Sequence, residues 1–280
     1  MATAEAPTHV PEATIGPVEE RELPQPPPLR RIVGPSVILV GVGIASGEYI
    51  LFPYIASQVG LVFLWAGIVG LLTQYFINME IERYTLATGE TAVTGFQRLW
   101  KPFGLLMIAC AIVPNIWPAW ATSAATITTF LFGGGNANAI AIGAMVLIGI
   151  ALSASPVVYQ FIEKFEFVKV ALVLVFLIVA ITTAITAKAF GDVDQTVTSF
   201  GSFTGGELEL AVLLGALAYA GAGGTNNLVV SNWIRDKGFG MGLYAPRVVS
   251  PITGEEEASP SGRGYVFRVD PTSMERWREW

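Results

Sequence analysis

The chain has 280 residues, 52% hydrophobic and only 14% charged, with a mean hydropathy of +0.57 and a net charge of −6. A water-soluble domain carries about a quarter charged residues, and between Arg31 and Glu80 the only acid or base is Glu48, so an ordinary soluble fold is excluded. The acidic excess sits in tails and loops and gives no nucleic-acid signal, the single Cys110 excludes a disulfide framework, and the sole histidine, His9, lies in the N-terminal tail, away from any intramembrane metal site.

Residues 1–31 are rich in Pro and Glu and lack the apolar core of a signal peptide, so they are expected to form a disordered cytoplasmic tail. A bilayer requires roughly 20 apolar residues per helix. That ruler gives a six-span region over 32–233, with spans at about 32–58, 61–79, 105–132, 139–158, 165–187 and 208–233. The expected fold is an all-α polytopic membrane protein. Lys and Arg cluster before the first span (Arg30, Arg31), after the second (Arg83, Arg98, Lys101), at the start of the fifth (Lys164, Lys169) and after the sixth (Arg235, Lys237). The opposite loops hold only Lys188, so the N-terminus is expected to be cytoplasmic and the protein a multi-pass component of the plasma (inner) membrane. Residues 234–280 are polar and punctuated by Pro and Gly. They read as a cytoplasmic loop with a helix starting near Thr272, and the abrupt charged end at Trp280 suggests a fragment.

Two spans carry breaks at corresponding places. The first contains Ala45-Ser46-Gly47-Glu48, and the sixth contains Gly221, Gly223 and Gly224 followed by Thr225-Asn226-Asn227. Glycine costs about 1 kcal/mol relative to alanine inside a helix, and unwound backbone at membrane depth survives only where protein or a cavity covers it. Paired discontinuous helices mark the binding site of inverted-repeat transporters. Close packing through Gly41, Gly43 and Gly47 accounts for the glycines equally well. It does not account for Glu48, since a charge at mid-membrane costs on the order of 3 kcal/mol. Asn226 and Asn227 suit either a ligand site or a hydrogen bond between helices.

Other signals are weaker. Pro114 and Pro118 should kink the third span around Asn115. Gly133-Gly134-Gly135 reads as a turn, Tyr219 as a packing residue, and Glu80, Glu82 and Arg83 as a solvated ionic cluster. No catalytic triad, nucleotide loop or metalloprotease helix is present, and no second acid or nucleophile–base pair accompanies Glu48 at depth. The chain is not expected to be an enzyme.

At these residues the sequence resembles the Nramp family of divalent-metal transporters. Gly34-Pro35 is followed eleven residues after the glycine by Ala45-Ser46-Gly47-Glu48, where the family has Asp-Pro-Gly-Asn. Arg83 with Ala87-Thr88-Gly89 matches the family's Arg-x-x-x-Ala-Thr-Gly. Gly224-Thr225-Asn226-Asn227-Leu228 aligns with Met-Pro-His-Asn-Leu. The resemblance covers roughly Gly34 to Asn232, the first six of about eleven family spans, and implies a LeuT-type inverted-repeat fold. It also implies a substrate site at Ala45, Ser46, Gly47, Glu48, Gly224, Thr225, Asn226 and Asn227. The family's aspartate, asparagine and methionine ligands stand here as Ala45, Glu48 and Gly224. Without the soft thioether, a metal held by Glu48 and Asn227 with backbone and hydroxyl oxygens would be a hard cation such as Mg²⁺, with Mn²⁺ the family alternative. The function implied is a secondary transporter of a divalent cation, working by alternating access with proton coupling. The competing readings are a same-fold carrier of an organic solute such as an amino acid, and a non-transporting scaffold or sensor. No resident cofactor is expected, and the partners are the lipid bilayer and a small ion or solute.

Overall fold

The computed structural model describes residues 18–28, 31–32, 36–37, 40–41, 43–44, 47–154, 158–183, 185, 192–203, 208–221, 224–246 and 264–280. The sequence-marked positions Gly34, Pro35, Ala45, Ser46 and Gly223 lie outside the described residues.

The structure is helical. Helical residues Gly41 and Gly43 give way to a bend at Ile44, and the chain resumes as a π turn at Gly47–Leu51 that leads into α1 (Phe52–Val59). A short 3₁₀ turn then enters α2 (Leu64–Thr88). Next come α3 (Ala92–Leu99), α4 (Phe103–Ile112), α5 (Ala119–Leu131), α6 (Ala137–Ala154) and α7 (Val158–Thr183). The short α8 (Asp194–Thr198) precedes α9 (Leu210–Tyr219), α10 (Thr225–Asp236) and the C-terminal α11 (Pro271–Glu279).

Among the described residues three helical stretches are long and apolar enough to cross a membrane: Glu48–Thr88, Ala137–Ala154 and Phe161–Thr183. In the last two only 6% of the apolar window is covered by protein, a surface that water disfavours and hydrocarbon accepts. These helices suggest a membrane protein. The other expected spans are divided. The stretch 105–132 splits into α4 and α5 around a 3₁₀ turn at Val113–Asn115, where Pro114 and Pro118 each remove a helical donor. The stretch 208–233 splits into α9 and α10. Tyr219, expected to pack, is 48% exposed.

One apolar core joins α1, α2 and α9 through Ile55, Phe63, Trp65, Ala66, Leu213 and Ala216. At the opposite end Val230, Ile234 and Phe239 pack with Ile32, Leu86, Trp233 and Trp280. This second end is a clamp made of both ends of the described chain. The disordered tail expected over 1–31 does not extend over residues 18–28, because their backbone is hydrogen-bonded. β1 (Glu19–Glu20) pairs in parallel with β2 (Tyr265–Val266), Tyr244 donates to the Glu22 carbonyl at 2.8 Å, and Trp280 Nε1 donates to the Pro24 carbonyl at 2.9 Å. Leu23 is completely buried. The C-terminal helix starts at Pro271, one residue from the expected Thr272, because Asp270 caps it by accepting from the Ser273 N–H at 2.8 Å.

A buried ion pair fixes the turn between α2 and α3. Arg98 Nε donates to both oxygens of Glu90 at 3.0 and 2.9 Å, and its terminal nitrogen donates to Oε1. Tyr84 donates to the same carboxylate at 2.7 Å. These bonds to Glu90 hold the Arg98 guanidinium above its already high ordinary pKa. Beside them, the Ala92 N–H donates to Ser231 Oγ on α10 at 3.0 Å, so the start of α3 holds the lower part of α10.

Candidate functional site

The two sequence breaks meet in space. On the first span the π turn adds a residue to the helical circuit and re-aims the side chains that follow, a device frequent at functional sites. Glu48 is the second residue of that turn and is half-buried. On the other side, α9 stops at Tyr219 because Ala220 is extended and Gly221 has φ +77°. Gly224 has φ +79°, and α10 starts immediately after it. An L side chain in that left-handed region costs roughly 1–2 kcal/mol, which is why glycine stands at both hinges.

Glu48 Oε1 accepts the Gly221 N–H at 2.8 Å. One break therefore supplies the anion, and the other the backbone donor that its own interruption released. Small residues permit the approach. A Cβ placed on Gly43 would lie 3.8 Å from the Gly221 carbonyl, and one on Gly70 would lie 2.6 Å from Ala220 Cβ. Of Gly41, Gly43 and Gly47, considered for close packing, Gly41 meets that role, since a Cβ there would overlap the Glu166 carboxylate, while a Cβ on Gly43 would make only ordinary contact; Glu48 has a role of its own.

The sixth-span residues divide. Gly224 is the N-cap of α10 and contributes no side-chain cap, while the Asn227 N–H reaches back to its carbonyl at 3.3 Å. Thr225 is half-buried and Asn226 exposed. Asn227 is buried, and its side-chain amide donates to Gln74 Oε1 on α2. Of the two readings open for Asn227, its Nδ2 is used in a helix-to-helix hydrogen bond. Ala45 and Ser46 lie outside the described residues, and Gly47 contributes the first backbone residue of the π turn.

Sequence reasoning missed Gln74. Its stem would sit 3.5 Å from a Cβ on Gly221, and its amide oxygen holds Asn227. It therefore connects the Glu48–Gly221 contact to the start of α10. The available signal was a lone amide in the apolar run Leu71-Leu72-Thr73-Gln74-Tyr75-Phe76.

Among the described residues no three His, Cys, Asp or Glu side chains converge into a metal-binding group. A cation here would be bound by one carboxylate together with amide, hydroxyl and backbone oxygens, a donor set that suits hard ions. No protein-family model, curated protein or solved structure matches this chain.

Proposed function

We propose that this chain is part of an Nramp-like secondary transporter that moves a divalent cation through a multi-pass membrane domain. Its N-terminus and the clamp are cytoplasmic, in the plasma (inner) membrane. The observation that carries the reading is the Glu48 carboxylate on the Gly221 N–H, which joins the two helix breaks at one charged point. Discontinuous helices meeting at a polar centre are the architecture of alternating-access carriers. An acid inside an apolar chain is functional by default. In this reading Glu48 is the charged ligand and the coupling proton's carrier, the half-helix α10 rocks against α9 about Gly221 and Gly224, and the LeuT-type repeat supplies the fold.

The test is uptake of Mg²⁺ and Mn²⁺ into proteoliposomes with and without a pH gradient. The parent protein is expected to take up at least one of these ions, and Glu48→Gln to lose most of that flux. Equal uptake by the parent and Glu48→Gln would overturn the assignment of Glu48.

A second reading, a carrier of a carboxylate-bearing organic solute, is favoured by one feature. The twelve-residue α10 begins at Thr225 after an N-cap, Gly224, that supplies no side-chain cap, and such a helix start attracts anions. Thermal stabilisation by an amino-acid panel but not by Mg²⁺ or Mn²⁺ would select it.

A further inference from the structure

Below the break, α2 carries polar side chains at Gln74, Asn78 and Glu82. Steps of four place them on one slowly drifting stripe of the helix, neighbours about 5–6 Å apart at Cβ. The three span about 12 Å of helix rise. Gln74, at the top, lies against Gly221 and binds Asn227.

Asn78, one turn lower, has a buried Oδ1 that receives no hydrogen bond among the described residues. A buried acceptor left without a donor costs about 1–3 kcal/mol, so this oxygen has acceptor capacity open to a donor or a positive charge. Glu82, at the bottom, lines a partly open cavity of about 460 Å³ together with Met79, Arg83 and Leu86 of α2 and Trp277, Arg278 and Trp280 of the clamp. Arg83 is engaged with Glu80 at 3.1 Å, and Glu82 has no ion-pair partner among the described residues. Arg83 and Arg278 are the cations that line the cavity with it. Around the helix from this stripe, Leu72 and Phe76 are 56% and 59% exposed, the pattern of a lipid-facing side.

We propose that Gln74, Asn78 and Glu82 form a hydrated, cation-selective track along α2, joining the Glu48 site to the cavity at the clamp. Asn78 Oδ1 is the intermediate acceptor, and Glu82 sets the sign of the charge admitted. The proposal rests on the transport reading for its purpose, but its physical content is independent of the transported ion. A passing cation exchanges one oxygen ligand for the next, and the clamp helix stands at the mouth of the track.

The test uses full-length protein with Cys110→Ser, carrying Asn78→Cys, Gln74→Cys or Phe76→Cys, reconstituted in vesicles. Each is treated from one side at a time with cationic and anionic thiosulfonate reagents of similar size. Asn78→Cys is expected to react from the clamp side, with the cationic reagent faster by about tenfold, the lower range of charge focusing in a narrow passage. Adding Glu82→Gln should erase most of that preference, and Phe76→Cys should stay inert. Gln74→Cys provides the same reading if Asn78→Cys does not fold. Labelling of the stripe no faster than Phe76→Cys, or a charge preference untouched by Glu82→Gln, would overturn the track even where Mg²⁺ or Mn²⁺ uptake is intact. Charge-selective labelling without uptake of either ion would keep the track and overturn the transport reading.

Discussion

The buried pair between the end of α2 and α3 allows a quantitative test of what holds this turn together. The Arg98 and Glu90 side chains are each 2% exposed, so neither charge has recourse to water. The Glu90 carboxylate takes three bonds from Arg98 and one from the Tyr84 hydroxyl at 2.7 Å, and its own N–H donates to Thr88 Oγ1 at 3.2 Å. Removing one partner strands the other, a loss of about 3–5 kcal/mol. Arg98→Met, which keeps most of the stem volume, should therefore destabilise the protein by that amount. The double variant Glu90→Gln with Arg98→Met should be less destabilised than the sum of the singles, because no charge is left uncompensated. Arg83→Met supplies the contrast: its 3.1 Å pair with Glu80 is 54% and 61% exposed and should contribute about 0–1 kcal/mol. Unfolding in detergent micelles, followed by tryptophan fluorescence, measures all four. If Arg98→Met falls within about 0.5 kcal/mol of the parent, the range of an ordinary surface substitution, the pair does not hold the turn between α2 and α3 and the reasoning fails.

Two further outcomes follow from the geometry. Gly221→Ala should lose roughly 1–2 kcal/mol from its φ of +77°. The added methyl crowds the far end of Leu71, at 2.9 Å, and meets the Gln74 stem at an ordinary 3.5 Å, so the backbone rather than the clash sets the cost. Gly143→Ala, with nothing within 4 Å and a helical backbone, should be neutral or stabilising, and thermal unfolding of the pair decides. The second outcome concerns Asp270, whose carboxyl is held below its ordinary value of 3.8 chiefly by the Ser273 N–H. A depressed carboxyl stabilises the fold above its unfolded pKa, and that contribution disappears as pH falls through the folded value. Docking of the C-terminal helix, read by quenching of Trp280, should weaken in acid below about pH 4. In Asp270→Asn, which keeps a good cap, the part of this pH dependence due to Asp270 should vanish; an unchanged acid profile would refute the cap's role.

Local chemistry made the helix breaks legible in the sequence. Clustered glycines, paired prolines at Pro114 and Pro118, and one acid in an apolar run each have a single-residue cause. The contact between Glu48 and Gly221 was not legible, since 173 positions separate the partners and only the fold brings them together. Gln74 was hidden for a related reason: an amide in an apolar span has no meaning until its neighbours are known. The clamp was misread over 18–28 because Pro- and Glu-rich composition argues for disorder only when no partner strand is available. Here Tyr265–Val266 supplies one, and Arg276 donates to the Leu23 carbonyl at 3.0 Å.

The Glu48 contact bears on the choice between a carrier and a scaffold. A scaffold would show a continuous first span with Glu48 paired to a neighbouring helix. The pairing is there, but the helix bends at Ile44 and turns as a π-helix from Gly47. The molecule also contains a cheaper joint of the same kind, because Asn227 and Gln74 link α10 to α2 with neutral amides. Interhelical bonds between neutral polar groups contribute about 0.6 kcal/mol on average in a membrane, whereas a carboxylate at depth costs on the order of 3 kcal/mol. Joining α10 to its neighbours therefore does not call for an acid. What a carboxylate adds, and an amide lacks, is a negative charge with about four acceptor positions, which can exchange a proton or a cation. That excess cost over a neutral joint favours a Glu48 that binds and releases over one that only fastens.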